Sequence, residues 1–263
     1  MVDCPEKDGF RMTPQSLSRA LTERTRAVVV NSPSNPTGAA YRQSDLAALA
    51  DALGDREIIV ISDDIYESIL YDGAVFSNMA NVSEEMKRKT FVLNGVSKAY
   101  SMTGWRIGYM AGNAGVIKNV ETLQSQSTSN PTSIAQWAAL EALTGDQGVI
   151  SPMVEAFTRR RKLIVDGLNA VPGVSCPLPD GAFYAFPRVS DVYTLNKWAD
   201  VAARYEGGAS SRLCSYLIDE ARVAVVPGIE FGNDNHIRLS FATSDANIIK
   251  GVERIGEAIG KLV

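Results

Sequence analysis

The sequence predicts an α/β protein, with a mostly parallel sheet and flanking helices followed by a smaller α+β domain. Three observations carry that prediction. The runs "AVVVN" at 27–31 and "IIVIS" at 58–62 are short, β-branched and apolar on both faces, as strands covered on both sides are. Segments with helical spacing lie between them, which is the alternation of a parallel sheet. From about residue 150 the order changes to one long helix and then to strands that alternate apolar and polar residues.

Each element has its own signal. Thr13 can cap a helix with Pro14 at its first position, and Leu17, Ala20 and Leu21 follow at helical spacing. The strand at 27–31 runs into "SPSNPTG". A second helix is predicted from Ser44, with Leu46, Leu49, Ala50 and Leu53 on one face and Gly54 as its stop. After 58–62, "TFVLN" (90–94) and "IGYMA" (107–111) read as further strands. Val154, Phe157, Ile164, Val165 and Leu168 share one face of the long helix, which Pro172-Gly173 ends. "AFYAFP", "RVAVVP" and "HIRLSFA" are the later strands. These patterns divide the chain into 1–152, part of a larger domain, and 153–263, a smaller one. A charged loop and a single helix before the first strand make an abrupt start for the larger domain.

Composition excludes several function classes. At 263 residues, 45% hydrophobic and 21% charged, the chain is ordinary for a soluble globular protein. A formal net charge of −4 leaves no electrostatic footprint for nucleic acid. No apolar run is long enough for a bilayer, and "MVDCPEKDGFRM" is not a signal peptide, so a cytoplasmic place with no membrane partner is expected. Cys4, Cys176 and Cys214 lack CxxC spacing and read as reduced thiols rather than a metal site. His236 is the only histidine, so sites needing several imidazoles are excluded.

Ligands of open parallel sheets bind beyond the carboxyl ends of the strands, and four segments carry unusual chemistry. In "NSPSNPTG" (31–38), Asn35 offers an amide that donates and accepts at once, although the dipeptides also suit a plain turn. In "ISDDIYESILYDG" (61–73), Asp63 and Tyr66 sit at a strand end, where a poorly solvated carboxylate wants a cation or N–H partner. Tyr66 would reach the same ligand if the segment turns into a helix, and Ser62 or Asp63 would equally serve as a helix cap. In "NGVSKAYSMTGWRIGYMAG" (94–112), Lys98 and Arg106 are cations in a segment that otherwise reads as buried. A lysine among apolar groups has a lowered pKa and becomes a usable nucleophile, while the planar fork of Arg106 suits a phosphate or carboxylate. A snorkelling surface lysine and a structural ion pair are the plainer alternatives. In "HIRLSFATS" (236–244), alternation puts Ile237, Leu239 and Phe241 on one face and Arg238 on the other, where it needs an anion. An ion pair between domains would also meet that need.

Together these groups suit an electron-withdrawing pyridine cofactor that bears an aldehyde and a phosphate. "NPTG", "SDDIY", "SKAYSMTGWRIGY" and "RLSFATS" resemble, in order and spacing, the signatures of fold-type I pyridoxal-phosphate-dependent aminotransferases. The likeness is to the class I, aspartate aminotransferase-like enzymes of bacteria. "GAFYAFP" (181–187) and "PGIEFG" (227–232) are similar to segments of that family's small domain. The resemblance implies the transferase fold of that family and pyridoxal 5'-phosphate as cofactor. Lys98 would be the covalent anchor and proton carrier, Asp63 the partner of the ring nitrogen, and Tyr66 with Asn35 the donors to the ring oxygen. Arg106 would bind the phosphate, and Arg238 the substrate carboxylate, with Asn35 also among the substrate-binding residues. Asp64 stands where the family usually has Glu, at a position outside the contact residues. The implied reaction exchanges an amino group between an amino acid, aspartate or similar, and a 2-oxo acid, in a homodimer. Family members carry a segment ahead of the point where this chain begins, so an N-terminal truncation is expected. The alternatives are a fragment that needs a complementing N-terminal chain and a lyase on the same scaffold.

Overall fold

Thr13 starts a helix, as its place before Pro14 predicts. Its hydroxyl accepts the Ser16 backbone N–H and its own N–H goes to the Ser16 hydroxyl, so two backbone donors at the start of α1 (Pro14–Ala20) are satisfied reciprocally. Strands and helices then alternate through β1 (Ala27–Asn31), α2 (Gln43–Leu53), β2 (Ile59–Asp63), α3 (Glu84–Lys89), β3 (Thr90–Gly95) and β4 (Gly108–Ala111). Three helices follow, α4 (Ala114–Ser127), α5 (Ser133–Thr144) and α6 (Ile150–Asn169). The remainder comprises β5 (Tyr184–Ala185), α7 (Trp198–Ala202), α8 (Ala209–Ala221), β6 (Val226–Pro227), β7 (Ile237–Ser240) and α9 (Asp245–Gly260). The structure, a computed structural model, describes residues 1–263. They fall into two units. Unit 1 is Met1–Ser34 with Ala39–Met153, and unit 2 is Asn35–Gly38 with Val154–Val263.

Unit 1 holds a four-stranded sheet in the order β1-β2-β3-β4. The first three strands are parallel, and β4 runs antiparallel to β3. A parallel neighbour needs a crossover, and residues 96–107 contain no α-helix to make one. Alternation sends Val30 and Val60 to one face, where Leu17 of α1 and Leu46 and Leu49 of α2 close a core over them. Here the structure corrects an expectation. The opposite face, which carries Ala27, Val29 and Ile59, is open, with Val29 63% and Ile59 42% exposed. The apolar runs do have two faces to cover, but α1 and α2 reach only one of them.

Three helices of unit 1, α3, α4 and α5, have no counterpart in the sequence reading. Asn113 caps α4 by accepting the N–H groups of Gly115 and Val116, yet α4 buries no residue, and Val116, Val120 and Leu123 are exposed at helical spacing. α5 buries only Ala135 and Ala139 and leaves Trp137 72% exposed.

Unit 2 is closed by comparison. Its small antiparallel sheet, in the order β5-β7-β6, turns Ile237, Leu239 and Phe241 inward, all buried as alternation predicts. Phe157 of α6 meets Phe183 and Phe241 with ring centroids 5.3 and 6.2 Å apart. The Tyr216 hydroxyl of α8 donates to the Ala258 carbonyl of α9 at 2.7 Å. Arg159 and Arg160 of α6 both donate to Asp245 at the start of α9. These two guanidinium groups pull the Asp245 carboxyl down to about 2.

Candidate active site

The carboxyl ends of three parallel strands lie side by side, because the register aligns Asn31 with Asp63 and Asp63 with Leu93. Every predicted site residue of unit 1 lies at this end, Asp63 on the last residue of β2 and Tyr66, Lys98 and Arg106 on the loops beyond it, the place where open α/β sheets bind ligands.

Asp63 ends β2 on the open face, beside Asn31, whose side-chain amide donates to the Asp63 carbonyl at 3.0 Å. Its carboxylate is half-buried and receives the Ile65 N–H at 3.4 Å. The next residue is sorted to the other face. Asp64 is only 1% exposed; its Oδ1 accepts from the Ser62 hydroxyl at 2.7 Å and its Oδ2 from the Asn78 side-chain amide at 2.9 Å. Burial pushes its carboxyl up to about 6, against the lowering by those two bonds.

The helix that the sequence allowed after Asp63 does not form. The Asp63 side chain accepts the Ile65 N–H, and the chain goes on in turns, with Glu67 N–H bound to the Asp64 carbonyl and Ile69 N–H to the Tyr66 carbonyl, both at 2.8 Å. The turns bury Tyr66 to 4% exposure.

Lys98 lies in the turn that follows β3 and is half-buried. Its Nζ stands 5.7 Å from the centroid of the Tyr66 ring, within reach of a cation–π attraction. Gly95 and Gly108 face each other across β3 and β4, so residues 96–107 leave and return at the same end of the sheet. A side chain on Gly95 would meet the Ile107 carbonyl at 3.0 Å. This return brings Arg106 to the end that carries Lys98. The stretch around Arg106 read as buried from sequence; in the structure Thr103 to Arg106, Gly108 and Tyr109 are exposed. Arg106 makes no ion pair. It adopts the left-handed φ of 53° and donates to the Thr103 carbonyl at 2.7 Å.

Unit 2 holds the other two predicted residues. The loop of Asn35 contains cis bonds at Ser32–Pro33 and Asn35–Pro36. At Gly38, φ is 68° and the Gly38 carbonyl accepts the Gly181 N–H at 2.8 Å; any side chain there would run into Pro179 and the Gly181 carbonyl. Asn35 Oδ1 accepts from the Arg238 guanidinium at 2.8 Å. A guanidinium only donates, so this bond fixes which way the Asn35 amide faces. Arg238 is caged between the rings of Tyr184 (4.7 Å) and Phe231 (5.1 Å), and its Nε is buried without a hydrogen-bond partner. No carboxylate pairs with it. The ion pair that would have explained it in purely structural terms is not there, and a guanidinium with an unused donor has the chemistry to bind an anion.

Sequence reasoning gave Tyr184, Phe231 and Asn78 no role and set Asp64 aside. Tyr184 and Phe231 stood in quoted motifs, but only folding brings them against Arg238. Asn78 lies in a loop without a local signal.

Comparison with known proteins gives a consistent picture. The profile of the family described as aminotransferase class I and II matches residues 1–255. The chain is 44% identical over 259 residues to an aspartate/prephenate aminotransferase of Nitrosomonas europaea, covering 98% of this chain and 64% of that one. It is 44% identical to an aspartate aminotransferase of Rhizobium meliloti, covering all of this chain and 63% of the relative. Among solved structures, the Rhizobium meliloti aspartate aminotransferase superposes with a TM-score of 0.91 at 44% identity, over 99% of this chain and 64% of that one. The Thermus thermophilus aspartate aminotransferase with maleate superposes with a TM-score of 0.83 at 41% identity, over 98% and 63%. The chain therefore spans somewhat less than two-thirds of the length of these relatives.

Proposed function

We propose, from the premise that the chain belongs to the class I and II aminotransferase family, that it is a pyridoxal-phosphate-dependent transaminase. It exchanges an amino group between an amino acid, aspartate or similar, and a 2-oxo acid. The observation that carries this reading is the convergence of Asp63, Lys98 and Arg106 on one end of the unit 1 sheet.

The donor set fits the cofactor. An aldehyde calls for a primary amine, which is Lys98; a pyridine N–H calls for a carboxylate, which is Asp63; a phosphate calls for a fork of donors, which is Arg106. When bound, pyridoxal phosphate supplies an electron-withdrawing ring that takes up the electron pair left as the substrate Cα–H bond breaks. The remaining work belongs to the chain. Lys98 Nζ would take the proton from the substrate Cα and hold it for return. Asp63 holds the ring nitrogen protonated, and Tyr66 and Asn35 donate to the ring oxygen. Arg238 takes the substrate carboxylate, held in place by the rings of Tyr184 and Phe231.

The test is borohydride reduction of the chain with pyridoxal phosphate, followed by peptide mass spectrometry. The adduct is expected on Lys98 and absent from Lys98→Ala, with loss of the visible band and of the half-reaction with aspartate. An unchanged spectrum in that variant would defeat the assignment of Lys98. The proposal extends to a homodimer in the cytoplasm. The exposed apolar stripes of α4 and α5 support the first, and the three free cysteines the second. Light scattering on the purified chain is expected to give twice the chain mass, and Leu123→Asp with Trp137→Asp to lower it; a monomer in the parent chain would refute the dimer.

A further inference from the structure

Asp63 and Asp64 are identical side chains in adjacent positions, and only one of them can serve the site. A one-residue slip of β2 would exchange them, because successive residues of a strand point to opposite faces. We propose that Asp64 is a positioning residue: its buried carboxylate, clamped between Ser62 and Asn78, locks the register that presents Asp63 and Tyr66. The inference rests on the cofactor site described under Proposed function.

Four bonds meet at this residue. The Asp64 N–H extends the parallel ladder to the Leu93 carbonyl at 2.9 Å, and the Asp64 carbonyl takes the Glu67 N–H at 2.8 Å, closing the turn around Tyr66. Its two carboxylate oxygens take the Ser62 hydroxyl and the Asn78 amide. The Asn78 amide is itself oriented, since its Oδ1 accepts the Asn81 N–H at 3.1 Å, which leaves its nitrogen for Asp64. The adjoining turn Met79–Asn81 is anchored in the core through Met79, which is 1% exposed. The clamp thus ties the end of β2 to the core and, through Leu93, to the strand that leads to Lys98.

The cost of this arrangement argues for a purpose beyond packing. No cation offsets the Asp64 charge, and the titratable groups that face it are Asp63 and Glu67 of its own loop and Tyr109 of β4. An apolar residue would fill the space without that cost, but it could not bind Ser62 and Asn78 or tell one register from the other.

Variants separate the clamp from mere bulk. In Asp64→Asn, the new amide oxygen can accept from Asn78 and the new NH2 can donate to the Ser62 hydroxyl, so the clamp is rebuilt without charge. Asp64→Ala and Asn78→Ala remove it. Pyridoxal phosphate affinity, the visible circular dichroism of the bound cofactor, and hydrogen exchange in peptides covering 60–72 are the measurements. Both alanine variants are expected to weaken cofactor binding about tenfold or more, as small misplacements of positioned groups do, to flatten the visible dichroism, and to speed exchange across 62–69. Asp64→Asn is expected to stay within about twofold of the parent in affinity and to keep its dichroism. An Asp64→Ala variant whose exchange and visible dichroism match the parent overturns the proposal. So does an Asp64→Asn variant as impaired as Asp64→Ala. If the parent chain takes up no cofactor, the reading of the site fails instead. The exchange experiment then still decides the clamp, because it needs no cofactor.

Discussion

Unit 1 and unit 2 treat their cations differently. Arg238 of unit 2 is held before any ligand arrives, with Tyr184 and Phe231 on its faces and Asn35 on its edge. Arg106 of unit 1 stands exposed on one bond to a backbone carbonyl. The helices repeat the contrast, since those of unit 2 bury Phe157, Leu213, Leu217 and Ile255, whereas α4 buries nothing. In unit 2 the guanidinium is oriented by aromatic faces that rest on a packed core. On the rim of the unit 1 sheet the corresponding groups stand on turns.

The sharpest way to break the contrast is to cut the core of unit 2. Phe241 has no exposure and packs on Phe157. Phe241→Ala is expected to cost about 3–5 kcal/mol, from lost burial and the cavity left behind, read by urea denaturation. A loss under about 1 kcal/mol would mean that this core is far looser than its burial implies.

The two units should also respond to acid with opposite signs. Asp64 has its folded pKa raised to about 6 from 3.8. The stabilisation it confers is therefore fully present below the unfolded value and is lost as pH rises through about 6, an effect of about 3 kcal/mol. Asp245 has its pKa lowered to about 2, so its contribution is present above the unfolded value and lost as pH falls towards 2. Stability measured between pH 4 and 7 should lose its downward slope near pH 6 in Asp64→Asn and keep it in Asp245→Asn. A slope unchanged in Asp64→Asn would show that the buried carboxyl does not titrate there.

The smallest effect is expected on the surface of unit 1. Val75 is 82% exposed, and Val75→Ser should change the stability of the chain by less than about 0.5 kcal/mol. A loss of about 2 kcal/mol in thermal melts would mean that Val75 is packed rather than exposed.

How far the sequence could be read follows from the range of each interaction. Strand, cap and strand-face assignments rest on neighbours a few residues apart, so Thr13 with Ser16 and the inward set Ile237, Leu239 and Phe241 were legible. The motifs around Lys98, Asp63 and Arg106 were legible as marks of the family. Their surroundings were not. The exposure of Arg106 and the open face at Val29 depend on what packs over them, and no local pattern carries that information. Turns stand around Tyr66 where the sequence also allowed a helix.

The sequence by itself therefore determined the strands of the first sheet, the caps and faces of the helices it marked, the alternation that separates Asp63 from Asp64, and the family to which the motifs belong. Those are consequences of backbone period and of residue chemistry, which act locally. Only the tertiary structure decided that Arg238 meets Asn35, that Asn78 captures Asp64, and that α4 is left uncovered. Each of these is a contact, or a missing contact, between residues far apart in the chain, and such contacts are set by how whole elements pack.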